Sequence, residues 1–306
     1  MTKWQRRLLW TAIIALAILV PGYYVLVLHS PSDGDAYTLD IAKIRELASS
    51  LPGDKPAEVR YENIMNFQFA KAMVAAGDAW NWTPIPVYSW QLVFPDKTLI
   101  VDTAMNREIA KPESLVPMYD DAAYQRMDAA MEKASQIVIT HEHMDHIGGL
   151  AAHPHLKALL PVLKLTDEQL NNPEGMKPAV LPAAAMKRYQ PIHYDRLLAI
   201  APGVVLIKSP GHTPGSQMVY VQRADGRELL LLGDVSWQMR NIEVVRERPL
   251  FMTLMIGENR SQVMGEFKAL HQLQQTDPAI KLVPGHDGDT VKALAAQGLV
   301  TQGFRL

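Results

Sequence analysis

The stretch Ser135–Leu150, "SQIVITHEHMDHIGGL", decides how this chain is read. It gathers His141, His143 and His146 into six positions of a chain with ten histidines in all, and sets Asp145 among them. Crowding neutral imidazoles around a carboxylate costs desolvation unless something offsets it, and the usual agent is a metal ion. "QIVIT" reads as a strand ending at His141, and a segment leaving a strand in extended conformation turns residues two apart to the same side. His141 and His143 therefore face together, and Glu142 alternates away and takes no ligand role. Asp145 and His146 follow at the start of a helical stretch, where a carboxylate suits the N-terminus.

The same signature recurs downstream. His212 lies in "SPGHTPGS", Asp234 ends the apolar run "LLLLGD", and His286 ends "IKLVPGH", each just past a strand-like segment. Loops leaving strand ends on one edge of a scaffold are where polar groups converge into sites. With the first cluster this makes five imidazoles and two carboxylates, more than one tetrahedral zinc uses and about right for two metals sharing a carboxylate. Ligation by nitrogen and oxygen alone suits two zinc ions, with iron, manganese or cobalt as substitutes. His29, His153, His155, His193 and His271 fall in a polar linker, on loops or on helices and are given no role.

The rest of the 306 residues frames this site. The composition is globular, and a net charge of −2 supplies no basic field for nucleic acid. The absence of cysteine excludes disulfides, zinc thiolates and a thiol nucleophile. "MTKWQRR" carries Lys3, Arg6 and Arg7, and Leu8–Leu28 follows without a charge; a helix of that length spans about 30 Å, a bilayer core. Pro21-Gly22 is expected to kink it, and Tyr23-Tyr24 to sit at an interface. Positive charge before the span, with Asp33 and Asp35 after it, predicts a single-pass inner-membrane anchor and a periplasmic body; the alternative is a signal sequence cleaved before Tyr37 and a secreted body. The expected organisation is an anchor over 1–30, a tether with a short amphipathic helix over 31–59, and one catalytic domain over 60–306. Hairpins are expected across Pro95-Asp96-Lys97 and Ala224-Asp225-Gly226, and helices over Asp120–Ala134 and from a cap at Asn259 or Ser261.

The ordered set "HEHMDH", "GHTPGS", "LLGD" and "PGHD" resembles the metallo-β-lactamase superfamily, over a region from about Arg60 onward. The resemblance implies an α+β fold, an αββα sandwich of two mixed sheets flanked by helices with the metals at one edge; here it follows an N-terminal transmembrane helix. It implies that His141, His143 and His212 hold one metal, that Asp145, His146 and His286 hold the other, and that Asp234 bridges. Asp102 in "LIVDTA" matches a strand-end aspartate that supports the ligand loops. The absent cysteine separates the chain from the common zinc β-lactamases, and a histidine at 143 argues for hydrolysis over oxygen reduction. Within the superfamily the chain is most similar to N-acyl homoserine lactonases, through the helical insert between His146 and His212 and the closing Gly285-His286-Asp287. Those lactonases carry a tyrosine three residues after the bridging aspartate; this chain has Trp237 there, which has no phenol hydroxyl.

The expected chemistry is hydrolysis of a small-molecule lactone or ester by a hydroxide bridging the metals, with Asp234 as the bridge. Asp145 has two readings of equal weight, a ligand alone or a ligand that also orients the nucleophile and passes a proton to the leaving alkoxide. Trp237 and Met239 are the candidate substrate contacts. Trp80, Trp82, Tyr88 and Trp90 read first as core or interface residues, with an apolar acyl pocket, shared with Phe251, Met252 and Met255, as the alternative. The rival functions are a glyoxalase-II-like thioester hydrolase, for which Lys187, Arg188, Arg240 and Arg246 offer positive charge, a non-catalytic membrane-anchored metal-binding module and, more distantly, a β-lactamase. A homodimer is left open.

Overall fold

The computed structural model describes residues 1–110 and 118–306. Among them the strands are β1 (Glu58–Ala70), β2 (Trp82–Val93), β3 (Thr98–Val101), β4 (Met118–Tyr119), β5 (Gln136–Val138), β6 (Leu197–Ala201), β7 (Val204–Lys208), β8 (Gln217–Gln222), β9 (Glu228–Leu231), β10 (Ile280–Val283) and β11 (Thr301–Gln302). They form two mixed sheets, β11-β1-β2-β3-β5 with β4 beside β1, and β10-β9-β8-β7-β6. Period-two alternation decides how they stack. In β7, β8 and β9 one alternating set, Val204, Leu206, Val219, Val221, Leu229 and Leu231, enters the core between the sheets, where it meets Tyr88, Trp90, Leu92 and Val101. The other set, Val205, Ile207, Met218, Tyr220 and Leu230, faces the helices Ile41–Ala48 and Arg260–Thr276 outside. The helices Asp121–Met131 and Met144–Ala152 cover the other sheet through Met127, Met131, Ile147 and Leu150. This is the expected αββα sandwich.

Local chemistry sets the boundaries. Both expected hairpins form: Phe94 N donates to Lys97 O (2.9 Å) between β2 and β3, and Arg223 N donates to Arg227 O (2.8 Å) between β8 and β9. Asp120, Asp40 and Asn259 each cap a helix by accepting from the backbone N–H three residues on.

Strand direction explains why one edge collects the polar loops. β3 and β5 are parallel; β9 and β10 are parallel, and β7 runs the same way through two antiparallel steps. The C-terminal ends of these five strands thus lie on one edge, and they lead into Asp102, His141, His212, Asp234 and His286. β1 and β2 pair from Glu58↔Val93 to Ala70↔Trp82, whereas β3 pairs only with Trp90–Val93. The rest of the β1–β2 ribbon therefore overhangs the edge.

The N-terminal helix, Lys3–Tyr23, continues into a wider turn over Tyr24–Leu28 that His29 N closes on Tyr24 O (2.8 Å). The helix runs through Pro21, which lacks an N–H to donate, and widens just beyond it. The two segments make 26 residues with a window of mean hydropathy 2.3, almost none of it buried. The following residues lie against the body: Asp35 N donates to Ser261 O (2.9 Å), Ser261 Oγ donates to Asp35 Oδ1 (2.5 Å) and Tyr37 Oη donates to Lys208 O (2.8 Å).

Glu266 on the helix Arg260–Thr276 is fully buried and accepts from Gly211 N at 3.3 Å. Burial pushes its carboxyl up to about 8. Its folded state thus binds a proton that the unfolded chain releases near the ordinary carboxylate value, so its stabilising effect is complete at low pH and fades as pH rises toward 8. Thermal unfolding of Glu266→Gln is expected to lose this component, gaining stability relative to wild type on the order of 3 kcal/mol between pH 5 and pH 8; parallel profiles for the two proteins would contradict it.

Candidate metal centre

Asp102 organises the first ligand loop. It leaves β3 in the left-handed region, with φ of 62°, and its Oδ1 accepts from Thr140 N (2.6 Å) and Oδ2 from Thr140 Oγ1 (2.8 Å). The same Oδ2 lies 2.9 Å from His146 Nδ1. Gln169 and Gln217 donate from Nε2 to Ile139 O at 2.8 and 2.7 Å, which fixes the turn out of β5. His143, in extended conformation, precedes the helix Met144–Ala152. That helix can lie on the Asp102 segment because Gly149 has no side chain: a Cβ there would meet Thr103 O at 2.1 Å.

The other loops are locked as firmly. Glu142, fully buried, accepts from Thr213 Oγ1 (2.8 Å), Asn172 Nδ2 (2.7 Å) and Gly215 N (3.3 Å) and so clamps the His212 loop. Gly285 passes so close to Asp234 that a Cβ would meet Oδ1 at 2.5 Å.

All seven expected ligands meet. His143 Nδ1 lies 3.2 Å from His141 Nε2 and 3.0 Å from His212 Nε2. Asp234 Oδ2 lies 3.8 Å from His141 Nε2 and 3.5 Å from His212 Nε2. Its Oδ1 lies 3.2 Å from His146 Nε2 and 3.0 Å from His286 Nε2, and Asp145 Oδ2 completes that side at 3.7 and 3.6 Å from the same two nitrogens. Asp234 Oδ2 thus faces His141 and His212 and Oδ1 faces His146, while His286 Nε2 touches both oxygens, lying 3.1 Å from Oδ2 as well.

These residues fit a pair of cations on two observations. Ligands about 2.0–2.1 Å from a tetrahedral zinc stand about 3.3 Å apart, and the inward atoms above stand 3.0–3.8 Å apart. Second, His146 Nε2 and Asp234 Oδ1 are buried 3.2 Å apart, yet neither has a hydrogen bond of proper geometry to the other or to any further group, which a folded protein rarely tolerates. The outer nitrogens are also committed. His146 Nδ1 faces Asp102, His212 Nδ1 faces Glu258 Oε1 (2.5 Å), and His286 Nδ1 donates to Pro86 O (2.7 Å). Because a carbonyl only accepts, His286 carries its proton on Nδ1 and turns the Nε2 lone pair inward.

Electrostatics divides the site in two. Burial lowers the imidazoles of His141, His143 and His212, to about 4 for His143 and about 3 for His212, so these three are neutral and able to ligate at pH 7. Burial also disfavours charge on His146 and His286, yet Asp234, with Asp102 and Asp145 for His146 and Asp145 for His286, outweighs it and raises both. This half of the site holds surplus negative charge that a cation relieves.

A cavity of about 680 Å³ opens on the centre. His143, Asp145, His212, Asp234 and His286 form its polar floor, and Phe67, Phe69, Met73, Ile85, Trp237, Met252 and Met255 form much of its wall. Trp237 lines it, but its Nε1 donates to Asp234 Oδ2 (2.7 Å). Met239 does not: its backbone N donates to Asp287 Oδ2 (2.8 Å), and it borders a separate groove with Thr83 and Arg240. Tyr88 and Trp90 belong to the core between the sheets, and Trp80 and Trp82 are exposed.

Sequence reasoning missed Glu258 and Arg248. Both are fully buried and lie 2.6 Å apart; Arg248 also donates to Asp234 O (2.5 Å) and lies over the Trp237 ring at 4.4 Å. Arg248 thereby ties the partner of His212 to Asp234. A carboxylate behind a ligating histidine fixes its orientation, and its loss costs 10–100-fold in metal affinity. Glu258→Gln is expected to weaken zinc binding by about that factor; a competition titration giving the wild-type affinity would contradict it.

A family profile for the metallo-beta-lactamase superfamily matches residues 82–286. An N-acyl homoserine lactonase of Bacillus thuringiensis is 25% identical over 174 residues, covering 52% of this chain and 67% of its own length. One of Bacillus cereus is 25% identical over 178 residues, covering 53% and 69%. Among solved structures, an N-acyl homoserine lactone hydrolase with N-hexanoyl-L-homoserine at its catalytic metal centre superposes with a TM-score of 0.60 at 18% identity, covering 78% of this chain and 96% of that one. AidC, a dizinc quorum-quenching lactonase, gives 0.51 at 15% identity, covering 77% and 90%. With the ligand set, the sandwich and the profile in agreement over two-thirds of its length, the chain belongs to the metallo-β-lactamase superfamily.

Proposed function

We propose that the chain is a dinuclear, zinc-dependent hydrolase of acylated lactones or related esters, held at a membrane by its N-terminal helix with the catalytic body on the extracytoplasmic side. One observation carries the hydrolase reading: a buried carboxylate that lies among four histidines, with Oδ2 toward His141 and His212 and Oδ1 toward His146, forms the floor of an apolar cavity. The relatives found by sequence carry the lactone preference, since each is an N-acyl homoserine lactonase. The length and apolar character of the N-terminal helix support the anchor, and Lys3, Arg6 and Arg7 before it support its orientation.

When bound, a pair of divalent cations supplies Lewis acidity, acidifying water and polarising a carbonyl. The chain's own residues do the rest. His141, His143 and His212 on one side, and Asp145, His146 and His286 on the other, would hold the pair, with Asp234 between them. Phe67, Phe69, Ile85 and Met252 receive an apolar acyl group and exclude water around the reacting carbonyl. Asp145, the more exposed of the two carboxylates and part of the cavity lining, is placed to hold a proton and return it to the leaving alkoxide. Trp237 has a different duty from a substrate-binding phenol: its N–H is spent on Asp234, so the substrate carbonyl gains no donor from position 237.

The thioester alternative finds little support in the cavity. Arg240 pairs with Asp78 (3.0 Å), Arg246 donates to Leu28 O (2.7 Å), and neither they nor Lys187 and Arg188 line it. Lys177 does, paired with Glu174 at 2.8 Å. Steady-state assays of the zinc-loaded chain are expected to show turnover of acyl homoserine lactones above S-lactoylglutathione and a chromogenic cephalosporin. Asp145→Asn should cost at least about 10²-fold in kcat. Absence of turnover on every lactone, or an unimpaired Asp145→Asn, would contradict the reading.

A further inference from the structure

The N-terminal helix is fastened to the body at the rim of the catalytic cavity. Gly77 N donates to Val27 O (3.2 Å), Arg246 donates to Leu28 O (2.7 Å), and Trp80 Nε1 donates to Tyr23 Oη (2.8 Å). The turn Tyr24–Leu28 packs on the short helix Leu250–Ile256, whose Met252 and Met255 line the cavity. No slack chain separates the apolar helix from the metal edge.

The surface around this junction is apolar where a soluble protein's surface would be polar. Leu254 and Met255 are 68% and 67% exposed, and Trp82 and Trp80 are 67% and 51% exposed. The two tryptophans flank the end of the overhanging β1–β2 ribbon, beside Phe69 of the cavity wall. Tyr23 and Tyr24, also exposed, lie at the same level through the Trp80 contact. Tryptophan and tyrosine concentrate at the headgroup layer of membranes, and contiguous exposed apolar residues mark a membrane or partner surface.

We infer that the face formed by Leu254, Met255, Trp80 and Trp82 is seated in the lipid interface, so that the catalytic cavity opens toward the bilayer and takes acyl amphiphiles from it. The argument is geometric. A helix crossing a membrane up to Tyr23 brings to the surface whatever is bonded to Tyr23, Val27 and Leu28, and here that is the cavity rim. The inference rests on the proposed membrane anchor and is independent of the hydrolytic reaction.

The chain has no cysteine, which makes a depth measurement clean. In the full-length protein reconstituted into phosphatidylcholine–phosphatidylglycerol vesicles, Leu254→Cys is labelled with an environment-sensitive fluorophore and challenged with lipids spin-labelled near the headgroup. Ala224→Cys, in the exposed β8–β9 turn at the opposite edge of the sheet, is the reference. Quenching at least about twofold stronger at position 254 than at 224 is expected. Equal quenching at both positions while the protein floats with the vesicles overturns the inference and leaves the anchor standing; failure to float overturns both. A second arm reads access. Leu254→Asp is expected to lower kcat/KM about tenfold for a long-chain acyl lactone presented in vesicles and to leave a short-chain, water-soluble lactone unchanged. Equal losses on both substrates contradict entry from the lipid. A wild type inert toward both lactones fails as a lactonase, and the depth measurement still decides the face.

Discussion

Everything in this structure depends on how Asp234 is shared. A single buried carboxylate presents Oδ2 to His141 and His212 and Oδ1 to His146, and His286 Nε2 lies 3.0 and 3.1 Å from the two oxygens. Taking five imidazoles and two carboxylates out of water in one place is unfavourable unless their lone pairs have a common positive partner. The raised imidazoles of His146 and His286 show the direction of that demand: burial opposes charge there, and the carboxylates still draw it in. Binding two cations would satisfy the same field and couple the stability of this edge to the metals.

The fold supplies the convergence through strand direction. Five parallel strand ends deliver Asp102, His141, His212, Asp234 and His286 to one edge, and each loop is then held by a buried polar partner. Asp102 holds the turn into His141, Glu142 holds the His212 loop, and Glu258 with Arg248 ties His212 to Asp234. The β1–β2 ribbon passes over this edge, contributes Pro86 O to His286, and carries the aromatic wall of the cavity. Ligand orientation and substrate enclosure thus come from the same overhang.

The ligands were legible in the sequence because their signal is short-range: a tight His-x-His-x-Asp-His run, and three further residues each following an apolar strand. The layered architecture was legible for a similar reason, since β7, β8 and β9 are paired runs with plain turn chemistry between them. The supporting charges were not. Glu258 and Arg248 are buried at opposite ends of a short helical segment with no periodic pattern, and only the tertiary fold shows that they meet. The aromatic stretch Trp80–Trp90 divided by register: Tyr88 and Trp90 point between the sheets, while Trp80 and Trp82 lie at the exposed end of the ribbon. Met239 follows Asp234 closely in sequence, yet its backbone N–H is held by Asp287 and it borders a separate groove instead of the cavity.

The indole at position 237 marks how this chain departs from the lactonases it resembles. Its N–H is bonded to Asp234 and Arg248 lies over its ring, so its one polar group is spent on the histidine–aspartate cluster while the indole lines the cavity. The central claim, that Asp234 joins two metal sites into one, is tested most directly by counting zinc in the purified, zinc-equilibrated full-length chain and in its Asp234→Ala variant. The account expects about two zinc ions per wild-type chain and fewer than about one in the variant. A wild type that binds a single ion, or a variant that keeps both, would contradict it.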